Sequence, residues 1–178
     1  NRLLWKHNYY GAVDAYTQAI RMMPSSADAY IGRAQAHKGK GETSLAMADF
    51  TKAVELAPEM AVGWLGRGRI YEEQRLYAEA AADYTQGIAA DPSRAASYLS
   101  RAELYRQRQD NASALADYQR ALLLDNSLAD AWYGAAKCQE ALGEKEAAMQ
   151  GYTNYLSHAD KKSYSYKLID EKKRLDIQ

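Results

Sequence analysis

The sequence predicts an all-α protein made of antiparallel helix pairs stacked in register, and three observations carry that expectation. The prolines Pro24, Pro58 and Pro92 fall 34 residues apart, and Asn126 and Asp160 continue the step. Small and large apolar residues recur in columns at the same step. Glycine and proline, which weaken helix interiors, number only 11 and 3 in 178 residues. A constant period of this size marks stacked supersecondary units, each too thin to bury its apolar face alone.

The first 26 residues read as a partial repeat that starts part-way through a pattern at Asn1. Full repeats are expected at 27–60, 61–94, 95–128 and 129–162, with an end helix from Ser163. In each full repeat, apolar and small residues return at steps of three and four over two stretches, which is helix periodicity. The first stretch runs from about Ala27 to Lys40, with counterparts beginning near Ala61, Ala95 and Ala129. The second runs from about Thr43 to Leu56 and recurs likewise. Gly41 and Gly143 mark the turn inside two of the pairs. Ser26, Ser93 and Ser127 stand where an N-cap would start the next first helix.

The columns have a packing logic. An aromatic stands six residues after each punctuation point, at Tyr30, Trp64, Tyr98, Trp132 and Tyr166. Ala34, Gly68, Ala102 and Ala136 are small enough to bring the first helix close to the second. The Ala12, Ala46, Ala80, Ala114 and Ala148 column is the small residue on the facing helix. The rings Tyr16, Phe50, Tyr84, Tyr118 and Tyr152 fill the remaining space. The column Ala19, Ala53, Gly87 and Ala121 breaks at Tyr155, which suggests an irregular end helix beside it. The segment Lys161–Arg174 is locally basic and places Tyr166 in the aromatic column. It is expected to cap the last pair and present polar residues to water.

Three repeats also carry an arginine on the first helix and an aspartate sixteen residues later on the second: Arg33 with Asp49, Arg67 with Asp83, Arg101 with Asp117. In the repeat 129–162 both are gone together, to Ala135 and Gly151. Joint presence and joint loss predict interhelical ion pairs, partly buried. The competing reading is an arginine ladder that holds an acidic ligand.

Signals for chemistry are thin. His7, His37 and His158 lie in different repeats without metal-ligand spacing. Cys138, the single cysteine, excludes an internal disulfide and a multi-cysteine zinc site and reads as a structural thiol. No glycine-rich phosphate loop, HExxH or GxSxG is present. No catalytic residue, metal or cofactor is therefore expected. Lys+Arg and Asp+Glu balance at 23 each, which argues against nucleic acid as the partner. No apolar run reaches the ~18 residues a spanning helix needs, so no membrane insertion is expected. A cytoplasmic setting is favoured, although one cysteine does not fix the compartment.

The set Trp64, Gly68, Tyr71, Ala80, Tyr84, Gly87 and Pro92 resembles the tetratricopeptide repeat signature, and the resemblance covers nearly the whole chain. The departures are His37 and Gln139 in an aromatic column and Tyr155 in a small one. The resemblance implies a right-handed α-solenoid whose first helices line a concave groove, in a non-catalytic scaffold that binds a protein or peptide partner. Mapped by position, it implies a central groove row of Ile31, Leu65, Leu99 and Tyr133, apolar and outside the hairpin-packing columns. A second row is Gln35, Arg69, Glu103 and Lys137, and a third is Lys38, Glu72, Arg106 and Glu140. Some family members clamp the C-terminal carboxylate of chaperone tails with groove lysines and asparagines. Here those positions hold Ile31, Gln35, Gly66, Ala96 and Ser100, so no tight binding of such tails is expected. The alternative function is self-assembly into a homo-oligomer, through apolar residues of the partial repeat such as Leu3, Leu4 and Trp5.

Overall fold

The structure, a computed structural model, describes residues 8–158. The end helix from Ser163, the basic stretch Lys161–Arg174, His7 and the apolar set Leu3, Leu4 and Trp5 lie outside the described residues. Among the described residues there are nine helices and no strands: α1 (Tyr9–Met22), α2 (Ala27–Gly39), α3 (Thr43–Leu56), α4 (Ala61–Glu73), α5 (Tyr77–Ala90), α6 (Ala95–Gln107), α7 (Asn111–Leu124), α8 (Ala129–Ala141) and α9 (Lys145–His158). None of them is long and apolar enough to cross a membrane.

The chain divides into two compact units, Asn1–Pro92 and Ser93–Gln178. In the first, each helix packs on the next from α1 to α5, and the first helices α2 and α4 also touch. In the second, α6, α7, α8 and α9 pack in the same succession, and α6 touches α8. Each first helix therefore contacts its own second helix and, within a unit, the first helix of the next pair. This is the contact pattern of a stacked repeat, in which one hairpin alone leaves an apolar face open.

The small columns bury completely. Ala34, Ala46, Ala80, Ala102, Ala114, Ala136 and Ala148 have no exposed surface, and neither have the rings of Tyr84, Tyr118 and Tyr152. Small residues let the two backbones approach, and the ring then fills the gap above them at interior packing density. Where the aromatic six residues after a loop is tryptophan, it has a second task. Trp64 Nε1 donates to the Pro58 carbonyl at 2.7 Å, and Trp132 Nε1 to the Asn126 carbonyl at 2.9 Å. In these two repeats the indole ties the loop to the helix that follows.

The helix ends correct one expectation. Ser26 caps α2, its Oγ accepting from the Ala29 amide at 3.3 Å. Ser93 and Ser127 do not cap: the N-cap positions of α6 and α8 fall one residue later, at Arg94 and Leu128, without a side-chain cap. Ser127 is taken instead by Asp125, whose Oδ1 accepts from the Ser127 amide at 3.0 Å and hydroxyl at 2.6 Å. The charged acceptor holds Ser127 in the loop turn, one residue ahead of the N-cap position.

All four inner turns close alike. The amide of the residue after the turn reaches back to the last turn of the first helix, as from Glu42 to the His37 carbonyl at 2.9 Å and from Leu76 to the Tyr71 carbonyl at 2.8 Å. That closure needs one left-handed residue. Gly41 (φ 80°) and Gly143 (φ 84°) supply it without strain, whereas the other two turns force Arg75 (φ 62°) and Gln109 (φ 63°) into the same region. A side chain there costs about 1 kcal/mol relative to glycine. Arg75→Gly and Gln109→Gly should each raise the urea midpoint by an amount worth about that much. A lower midpoint would mean that those side chains make contacts worth more than the strain.

Candidate functional site

The arginines and aspartates spaced sixteen residues apart sit in three equivalent forks. Arg33 Nε and Nη2 donate to Asp49 at 2.8 and 2.7 Å, Arg67 to Asp83 at 2.8 and 2.8 Å, and Arg101 to Asp117 at 2.7 and 2.9 Å. The carboxylates are buried and the guanidinium groups half-buried. An aromatic ring lies against each guanidinium, and two against Arg67, which lies 5.0 Å from the Trp64 centroid and 5.8 Å from that of Tyr71. Arg33 lies over Tyr30 and Arg101 over Tyr105 in the same way. The hydrogen bond to Asp83 holds the Arg67 guanidinium above the usual arginine value in spite of burial, and the other two arginines behave alike. Both fork donors on each arginine point at its own aspartate, so these groups join helices and present no ladder to a ligand.

The central groove row is placed differently from expectation. Ile31 and Leu65 keep 6% and 7% of their surface. Ile31 belongs to the core cluster of Ala34, Ala46, Phe50, Ala53 and Ile70. Leu65 lies against Gly87 of its own second helix, where an added β-carbon would come to 3.5 Å from Leu65 Cγ. Leu99 packs on the cluster around Tyr118, and the Tyr133 ring lies 5.5 Å from that of Tyr155. The expectation that this row stands outside hairpin packing is thus corrected. Each of its residues precedes the small-column residue by three, so the two share one helical face and meet the same second helix. Leu99 and Tyr133, both half-buried, retain surface.

The third row carries a hydrogen-bonded system that the sequence reading did not anticipate. The buried Tyr84 hydroxyl donates to Glu72 at 2.7 Å, and that of Tyr152 to Glu140 at 2.8 Å. In the repeat between them the corresponding residue is Arg106. Tyr118 there donates to Glu103 Oε1 at 2.5 Å, while Arg106 donates to Glu103 Oε2 at 2.7 Å and lies 3.2 Å from the phenol oxygen. Burial, then the carboxylate partner, raises the pKa of Tyr84 and Tyr118. Burial is the largest influence on Arg106 and opposes its charge, but its hydrogen bonds to Glu103 and Tyr118 and their electrostatic attraction together outweigh it. Where the ring is Phe50 and lacks a hydroxyl, the third row holds Lys38, which instead reaches Glu73 of the neighbouring first helix at 2.7 Å. The signal was in the sequence as a twelve-residue spacing, glutamate to tyrosine in two repeats and lysine to phenylalanine in a third.

Of the second row, Gln35 and Arg69 are exposed, and Glu103 and Lys137 half-buried. Lys137 Nζ stands 3.5 Å from Glu140 and 5.8 Å from the Tyr152 centroid. In the second unit, Leu99, Glu103, Arg106, Tyr133, Lys137 and Glu140 all lie on α6 and α8, two helices in contact. In the first, Ile31, Gln35, Lys38, Leu65, Arg69 and Glu72 lie on α2 and α4, which also touch.

Cys138 is fully buried in the cluster around Tyr118, and burial pushes its thiol up to about 11. The thiolate is the reactive form, so a buried, high-pKa thiol is inert. An aromatic disulfide reagent at neutral pH should label Cys138 only as fast as the second unit opens. Rapid labelling of the native protein would contradict this placement.

Comparisons with known proteins agree with this architecture. A sequence profile of the tetratricopeptide repeat matches residues 3–61, 65–128 and 99–162. No curated protein sequence matches the chain. Among solved structures, pilF of Pseudomonas aeruginosa superposes with a TM-score of 0.83 at 19% identity, over 98% of this chain and 82% of that one. YrrB, described as a TPR protein with an unusual peptide-binding site, gives 0.74 at 23% identity over 83% and 76% of the two chains. The first TPR of Spaghetti (RPAP3), bound to the HSP90 peptide SRMEEVD, gives 0.61 at 25% identity over 67% and 93%. The repeat profile covers most of the sequence and the helix pairs recur at its period, so this chain belongs to the tetratricopeptide repeat family.

Proposed function

We propose that the chain is a non-catalytic scaffold that holds a peptide or helical segment of a partner protein on its first helices. In this reading the repeats 27–60, 61–94, 95–128 and 129–162 belong to one array, completed by a cap from Ser163. The observation that carries it is the surface on α6 and α8. Leu99 and Tyr133 keep accessible area there. Glu103, Arg106, Lys137 and Glu140 stand around them, oriented by Tyr118 and Tyr152. Side chains held in place before binding lose little entropy when a ligand arrives. The peptide-binding site of YrrB and the peptide held by the RPAP3 repeat support the reading by likeness. The burial of Ile31 and Leu65 leaves the first unit to contribute through Gln35, Lys38, Arg69 and Glu72.

The test is selection of peptides from a displayed library on the immobilised chain, followed by titration of the best binder. Leu99→Glu and Tyr133→Ser should each weaken it at least tenfold, about 1.4 kcal/mol or more, while the circular dichroism spectrum stays helical. Unchanged affinity in both variants would move the site elsewhere. The peptide SRMEEVD should show no tight binding, because Gly66, Ala96 and Ser100 cannot supply a carboxylate clamp.

Self-assembly is the second reading, and the exposure of α1 favours it. Tyr9, Tyr10, Tyr16, Met22 and Met23 are all among the exposed large apolar residues. Light scattering across concentration separates the readings: a constant monomer mass removes self-assembly and leaves the peptide site standing.

A further inference from the structure

We draw no further inference here: the strongest candidate, the exposed apolar patch of Tyr10, Met22 and Met23 on and just after α1, carries nothing because nothing in the structure shows what covers it.

Discussion

Asp83→Ala lowers the unfolding free energy by about 3–5 kcal/mol, the cost of leaving a partly buried guanidinium without its counter-charge. Asp83 is 4% exposed and accepts both fork donors of Arg67. Removing the carboxylate strands that charge between Trp64 and Tyr71, whose ring faces attract a cation but neutralise none of it. For a chain of this size the loss corresponds to roughly 2–4 °C of melting temperature per kcal/mol. Gln86→Ala, on the exposed side of the same helix, is the matched control and should change little. The double variant Arg67→Ala/Asp83→Ala should be less destabilised than the two single losses added together. The molecule already holds the precedent: the pair α8 and α9 folds with Ala135 and Gly151 at these positions. There a β-carbon on Gly151 would meet Ala136, so the helices have closed over the vacated space. A single-variant loss no larger than that of the control would show that water reaches Arg67 freely.

Helix number, order and most boundaries were legible because packing constraints repeat. A column that must be alanine or glycine four times over leaves a mark that no single hairpin would leave. The ion pairs were legible for the same reason, since Ala135 and Gly151 change together. Four features resisted. Ser93 and Ser127 look like caps locally, but the helix start is set by the loop, and Asp125 holds Ser127 in the loop turn. The left-handed turn at Arg75 and Gln109 is imposed by the closure of the hairpin, so residue type does not reveal it. The burial of Ile31 and Leu65 was hidden because an apolar residue on a first helix can face a ligand or its own second helix. The three-residue step from Ile31 to Ala34 and from Leu65 to Gly68 decides for the second helix, and only packing makes that choice visible. The tyrosine–glutamate system was hidden by its variation. Arg106 breaks the column, and Glu103 restores the hydrogen bond from one turn away.

Gly134→Ala should destabilise the second unit by about 1 kcal/mol, against the usual direction for a helix interior. Replacing glycine by alanine inside a helix ordinarily gains about 1 kcal/mol through lower unfolded-chain entropy. Here a β-carbon would fall on the Tyr118 ring of the preceding second helix. That ring has no exposed surface, and its hydroxyl is held by Glu103 and Arg106, so it cannot slide away without breaking a charge-assisted hydrogen bond. Overpacking of a fixed side chain costs about 1–3 kcal/mol, which exceeds the entropic gain. Gly66→Ala provides the contrast. Its β-carbon would meet Phe50, a ring with no hydroxyl and no such anchor, so the ring can give and the loss should be smaller. Adding Tyr118→Phe to Gly134→Ala releases the anchor and should recover part of the stability lost. Urea unfolding of the three variants decides the matter. If Gly134→Ala proves as stable as the parent chain, the ring moves freely, and the hydrogen bonds on Tyr118 do not fix the spacing between α7 and α8.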